Sequence, residues 1–321
     1  MPARCRSFAW RSVAFATLCV FAATPATADA VTVRDAAGRD VAITDTSRII
    51  SIGGAVTEIL YALGLERRLI AVDTTSLYPP RALAEKPNVG YMRQLSAEGV
   101  LGLGPSLVLA SEGAGPKETI AVLDAARVPF VRVPEVFTGE GIIDKVRLIA
   151  KATGTSERGE CLVKRVQEDL DVMANLRRRI EQPRKVMFLM SFLNGRPMVA
   201  GRATAAEGII ELAGGRNAVD NYEGYKLIND ESVIAAQPDA VLAMERPSFR
   251  LDADTVFAHA AFATTPAADH KAFVSMDGLY LLGFGPRAAR AARDLAAALY
   301  PTLSGPPLPS ERTPLSDACQ K

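Results

Sequence analysis

Two thirteen-residue stretches of this chain align without a gap, and they limit its architecture more than any other feature. Glu98-Gly-Val-Leu-Gly-Leu-Gly-Pro105-Ser-Leu-Val-Leu-Ala110 and Glu231-Ser-Val-Ile-Ala-Ala-Gln-Pro238-Asp-Ala-Val-Leu-Ala243 share one pattern: Pro follows the glutamate by seven positions and Ala by twelve. Each reads as a short helix, a proline and an apolar strand. A single duplication implies two lobes of similar topology, because a solenoid needs at least about three repeats.

The rest of the pattern agrees. Arg48–Ile52, Leu69–Asp73, Leu107–Ala110 and Phe130–Val133 are short, largely apolar runs. Helical stretches separate them, among them Thr57–Gly64 and Lys117–Ala126. The order recurs later, with strands at Lys185–Met190 and Ala240–Ala243 and helices at Ala206–Leu212 and Arg287–Leu299. Such alternation means βαβ units and largely parallel sheets. Between the halves, Ile142–Ile180 is almost all helix former, divided at Gly154. Its second part, Glu157–Ile180, would run about 36 Å as a helix, long enough to bridge two lobes. The fold class expected is α/β: two similar lobes with mostly parallel central sheets joined by one long helix. The expected divisions are a signal segment at 1–28, lobes at 29–140 and 184–303, a helical connector at 141–183 and a flexible, proline-rich tail at 304–321.

Arg4, Arg6 and Arg11, the apolar run Ser12–Ala23 and Ala26-Thr27-Ala28 read as a cleavable secretory signal, cut after Ala28 or Ala30. Cys19 lacks the small residue that precedes a lipidated cysteine, so a soluble exported, periplasmic protein is expected. The apolar run falls short of the roughly 20 residues that span a bilayer. Of four cysteines, Cys161 and Cys319 remain after that segment; they could pair in an oxidising compartment, but two cysteines make no disulfide framework. Subtracting the three signal arginines from 37 basic residues leaves 34 against 36 acidic, and such neutrality does not suggest a nucleic-acid partner.

Candidate chemistry concentrates in Gly90-Tyr91-Met92-Arg93, which precedes a helix capped by Ser96. A phenolate is a hard ligand that suits ferric iron, and tyrosine alone can hold haem iron. A nearby cation and a hydrogen bond favour the charged form of such a group. By itself the segment also fits a half-buried ring with its hydroxyl at the surface. Tyr78, in Asp73-Thr-Thr-Ser-Leu-Tyr78-Pro79, is the rival ligand. No P-loop, nucleophile elbow or metal-hydrolase spacing is present, and the reading is of a binding protein, not an enzyme.

Together these residues resemble the substrate-binding proteins of bacterial ABC importers whose lobes are joined by one rigid helix, a class that binds cobalamin, ferric siderophores and haem. Within it the chain looks most like the periplasmic haem-binding proteins. The resemblance covers the mature chain and is carried by Asp73-Thr-Thr-Ser-x-Tyr-Pro, Gly90-Tyr-Met-Arg and Ser96-Ala-Glu-Gly. It implies that haem is the transported ligand, with no catalytic cofactor. Tyr91 is the implied iron ligand and Arg93 its hydrogen-bond partner, with Tyr78 a cleft-wall aromatic. Arg246 or Arg250 would meet the propionates. Glu98 and Glu231, one per lobe, would meet arginines of the membrane permease, and the protein would act as a monomer. Some relatives add a histidine from the second lobe, but Met190–Gly195 contains none. His259 and His270 come later, and His259 is expected to be structural or solvated. Cobalamin or a siderophore is the alternative ligand. A tetrapyrrole chelatase is the rival of another class, disfavoured by histidine poverty because chelation needs a proton acceptor. A passive haem store is a third reading; it would not need the two glutamates.

Overall fold

The computed structural model describes residue 1 and residues 30–246, 250–303, 305, 307–312 and 319. The expected signal segment, Met1 apart, lies outside the described residues.

In the first lobe, β1 (Val31–Arg34) and β2 (Asp40–Ile43) form an antiparallel ribbon. Then follow β3 (Ile49–Ile52), α1 (Gly54–Ala62), β4 (Leu69–Val72), α2 (Arg81–Glu85), α3 (Ala97–Leu101), β5 (Leu107–Ser111), α4 (Lys117–Ala125) and β6 (Phe130–Val133). The sheet order is β4-β3-β5-β6, parallel throughout. Both β3 and β5 are buried at every position, as strands covered on both faces must be.

Two helices connect the lobes. α5 (Gly139–Ala152) is capped by Thr138, whose hydroxyl accepts the Gly141 N–H at 3.1 Å. It ends at Ala152, and Gly154, with φ +69°, turns the chain just beyond it. α6 (Ser156–Arg177) has 22 residues, about 33 Å at the usual rise. It buries Leu162, Val166, Leu170, Met173 and Leu176 along one face.

The second lobe holds β7 (Lys185–Leu193), β8 (Arg196–Ala200), α7 (Ala205–Leu212), β9 (Arg216–Asn217), β10 (Tyr225–Leu227), α8 (Asp230–Ala236) and β11 (Ala240–Glu245). Short helices α9 (Ala253–Phe257), α10 (Ala260–Ala263) and α11 (Pro266–Asp269) lead to β12 (Phe273–Asp277), α12 (Gly278–Leu282), α13 (Ala288–Leu299) and α14 (Pro309–Arg312). Its sheet runs β10-β8-β7-β11-β12, with β9 on β7. The β7, β11, β12 and β9 pairings are parallel, whereas β8 pairs antiparallel with both β7 and β10. Most of its pairings are therefore parallel, yet the sheet is mixed. Asn194-Gly195 is the cause: both have positive φ, +51° and +76°, the condition for a tight hairpin turn.

The duplicated sequence is duplicated structure. α3 and α8 each lead through a left-handed residue, Gly104 (φ +62°) or Gln237 (φ +44°), to the proline and a central strand. Val100 and Val233 are both wholly buried beneath them.

One apolar cluster runs from Val33 and Leu107 through Val146, Leu162 and Met173 to Ile209 and Leu295. The lobes thus share a core, and close packing of this kind resists wide hinge opening. The seam is tight. A Cβ on Gly54 would lie 2.5 Å from Leu279, and one on Gly208 would lie 2.3 Å from the Phe137 carbonyl. Arg287 pairs with Glu58 at 3.0 Å. Buried Lys145 donates to the Phe284 carbonyl at 3.3 Å.

The described part of the tail makes specific contacts. Leu308 is fully buried, the Ser310 N–H donates to Asp169 at 3.0 Å, and Glu311 pairs with Arg293. Cys161 and Cys319 form a disulfide with Cα atoms 5.7 Å apart. The proline-rich composition hid this anchoring because the partners lie far away in sequence.

Candidate functional site

The Asp73-Thr-Thr-Ser loop is a buried clamp. One Asp73 carboxylate oxygen accepts the Gly53 N–H (2.8 Å) and the Ser76 hydroxyl (3.0 Å). The other accepts the N–H and hydroxyl of Thr75, at 2.9 and 2.7 Å. A hydroxyl chain, Ser51–Thr57–Ser76, continues into α1 with both steps at 2.7 Å. This network fixes the loop and leaves Tyr78 at its tip, 40% exposed.

Tyr91 stands in the next turn. The Val89 N–H donates to Val72 and the Thr74 N–H donates to Gly90, tying the segment to the end of β4. Gly90 has φ +94°, a conformation that favours glycine. Met92 and Leu95 are buried in the core under α3 and α4, so Tyr91, Arg93 and Gln94 face outward. Tyr91 is 39% exposed. Arg93 Nη1 donates to its hydroxyl at 3.1 Å. The pairing joins a phenol oxygen to a cation, an arrangement that stabilises negative charge on that oxygen.

At the rim, Arg287 lies 3.5 Å over the Tyr78 ring and 5.1 Å from the Tyr280 ring. These residues, with Arg290 and Asp294, line a cavity of about 460 Å³ at the lobe seam. Burial and the hydrogen bond it donates to Asp294 hold the Tyr280 phenol well above its usual range. Such surroundings fit Tyr78 to a wall role.

The other expected residues are more dispersed. Arg246 and Arg250 follow β11 in the second lobe. Arg246 lies against the Met190 sulfur at 3.2 Å; Arg250 is largely exposed and pairs with Glu245 at 3.4 Å. Glu98 and Glu231 sit in the first turns of α3 and α8, both exposed. Their helices are capped by Ser96 and Asn229. Neither glutamate has an ion-pair partner among the described residues. His259 stacks on Phe192 at 5.1 Å, with Nε2 2.9 Å from the Gly195 carbonyl oxygen.

Sequence reasoning missed Tyr225, at the start of β10. Its ring meets Phe188 edge-on at 6.2 Å. Burial pushes the phenol up; the Ala206 N–H, Arg93 and Thr204 pull it down, while Glu135 opposes them. Arg93 and Glu135 belong to the first lobe, so Tyr225 faces that lobe across the cleft. The signal was legible upstream of the repeat. Gly90-Tyr91 precede the cap Ser96, and Gly224-Tyr225 precede the cap Asn229 with one residue fewer between. Gly224 also has positive φ, +78°, and Ile228 is buried as Leu95 is.

Residues 49–279 match the family described as periplasmic binding protein. The chain belongs to that family. This periplasmic binding protein is similar to the periplasmic haem-binding protein RhuT from Roseiflexus sp. RS-1. The two are 38% identical, with a TM-score of 0.74, over 81% of this chain and all of that one. It is 36% identical to the periplasmic haem-binding protein BhuT, solved with two haems; the TM-score is 0.75, over 80% of this chain and 99% of that one. It is also 26% identical to the uncharacterised ABC transporter substrate-binding lipoprotein YvrC of Bacillus subtilis, over 84% of this chain and 86% of that one. The family and these relatives are substrate-binding proteins, not enzymes.

Proposed function

We propose that this protein captures haem between its two lobes in the periplasm and delivers it to an ABC permease. The observation that carries this reading is the Tyr91–Arg93 pair, 3.1 Å apart on an exposed loop at the carboxyl end of the first sheet. Ligands of open α/β sheets bind at such strand ends. Similarity to haem-binding relatives over four-fifths of the chain supports the choice of ligand.

In this account Tyr91 binds the iron of the transported haem. Arg93 holds the phenol oxygen by hydrogen bond and stabilises its charge. Tyr78, fixed by Arg287, forms part of the wall. Most of the affinity comes from burying the apolar macrocycle, and the iron bond gives selectivity. Arg246, which has no carboxylate partner among the described residues, meets a propionate, with Arg250 beside it. Glu98 and Glu231 present the loaded protein to the permease, one carboxylate from each lobe. Export by a cleavable signal at residues 1–28 brings it to the periplasm.

Absorption titration of the signal-free protein with ferric haem, cobalamin and a ferric siderophore tests the reading. Saturable binding of haem alone is expected. Preference for either competitor would contradict it.

A further inference from the structure

The repeat carries more than the two glutamates. In each lobe a glycine with positive φ is followed by a tyrosine, then a buried aliphatic residue and the capped helix with its glutamate. Position by position, Tyr225 is the second lobe's counterpart of Tyr91. The two tyrosines are 36% and 39% exposed.

Their surroundings differ in one respect. Arg93 donates directly to the Tyr91 hydroxyl. The cation next to Tyr225, Lys226, is instead drawn over the Tyr222 ring at 4.9 Å. The Tyr225 ring leans on Phe188, and its hydroxyl end lies near Thr204 and the Ala206 N–H at the start of α7. Among the described residues no cation donates to its phenol oxygen: Lys226 lies over Tyr222, and Arg93, which acts on it from the first lobe, is hydrogen-bonded to Tyr91 instead. What it offers is a fixed aromatic face with a neutral hydroxyl, directed at the first lobe.

We propose that Tyr225 is a further ligand-binding residue of the cleft. It packs as a neutral phenol on the macrocycle face opposite Tyr91 and does not bind the iron. The proposal rests on the haem reading above. It divides the work between the lobes: Tyr91 selects the metal, and Tyr225 slows escape by covering the second face. Burying a large side chain against an apolar partner is worth roughly one to two orders of magnitude in affinity, and such gains fall mostly on dissociation.

The test compares ferric haem dissociation, by transfer to excess apomyoglobin, with the absorption spectrum of each loaded protein. Tyr225→Ala is expected to dissociate about ten-fold faster or more while keeping the parental spectrum. Tyr225→Phe, which retains the ring, is expected to stay within about two-fold of the parent. A parental rate in Tyr225→Ala would overturn the covering role. A changed iron spectrum in Tyr225→Phe would overturn the non-ligand role, and so would a tyrosinate spectrum that survives Tyr91→Ala but not the double variant. Failure of the parent to bind haem would remove the haem reading and this proposal together. The near-ultraviolet dichroism of each ligand-free variant checks that the fold is intact.

Discussion

The two lobes use one local unit to different ends. Both present glycine, tyrosine, helix cap, glutamate, left-handed residue, proline and central strand in the same order. In the first lobe the unit sits on an all-parallel sheet and its tyrosine is held by an arginine. In the second a hairpin has been built into the sheet, the tyrosine begins its edge strand and the neighbouring Lys226 is drawn over the Tyr222 ring. Among the described residues, only in the first does a cation donate a hydrogen bond to the phenol oxygen. A duplicated scaffold can thus keep its helices alike while its loops diverge.

If the helices are equivalent prongs, reversing either charge should break delivery. Glu98→Arg and Glu231→Arg are each expected to cut haem uptake about ten-fold, and the pair to abolish it. Haem affinity should not change, because both residues are exposed and have no ion-pair partner among the described residues. Uptake by intact cells and haem titration, run together, separate the two effects. Unequal single effects would show that the lobes do not dock alike.

The loops should respond unequally. Arg93→Ala removes a hydrogen bond to a group proposed to carry charge, worth about 1.5–3 kcal/mol, so haem affinity should drop roughly ten- to hundred-fold. Lys226→Ala, the counterpart in the second lobe, should bind haem as the parent does. Equal losses would erase the distinction drawn between the loops.

Gly90→Ala and Gly224→Ala probe the shared backbone. A Cβ meets nothing within 4 Å at either site, so the cost is that of positive φ alone. Each should destabilise by about 1 kcal/mol in urea unfolding. A much larger loss at one site would mean that the two turns are not equivalent.

The smallest effect concerns the seam. Burial lowers the Lys145 ammonium from its ordinary pKa, against the pull of Glu135 and Glu58. Between that lowered value and about 10.4, the unfolded chain binds more protons than the native one. Stability therefore rises with pH across this window, and the penalty is full below it. Lys145→Met should remove that slope. The difference in urea midpoint between variant and parent should shrink as pH rises from 7 towards 10. A constant difference would mean that Lys145 does not titrate in the seam.

Local signals made the first lobe readable. Apolar runs bounded by glycine and proline mark β3 to β6, and Tyr91–Arg93 lie two residues apart, so their contact needs no tertiary knowledge. The second lobe was less legible because its features are non-local. Asn194-Gly195 is a hairpin signal, yet β7 alone reads as one more parallel strand. Tyr225 shows its role only when the repeat is extended past a one-residue deletion. Arg287, which fixes Tyr78 and meets Glu58, lies over two hundred positions from both. The tail's anchoring depends on Asp169, Arg293 and Cys161. No window around Pro309 could reveal those partners.

The central claim is that the Tyr91 oxygen holds the iron of bound haem. Resonance Raman spectroscopy of the ferric haem complex, comparing the parent with Tyr91→Phe, tests it most directly. The account predicts iron–tyrosinate vibrations in the parent and their loss in Tyr91→Phe, a change that removes one oxygen and leaves the ring. The same vibrations persisting in Tyr91→Phe would contradict it.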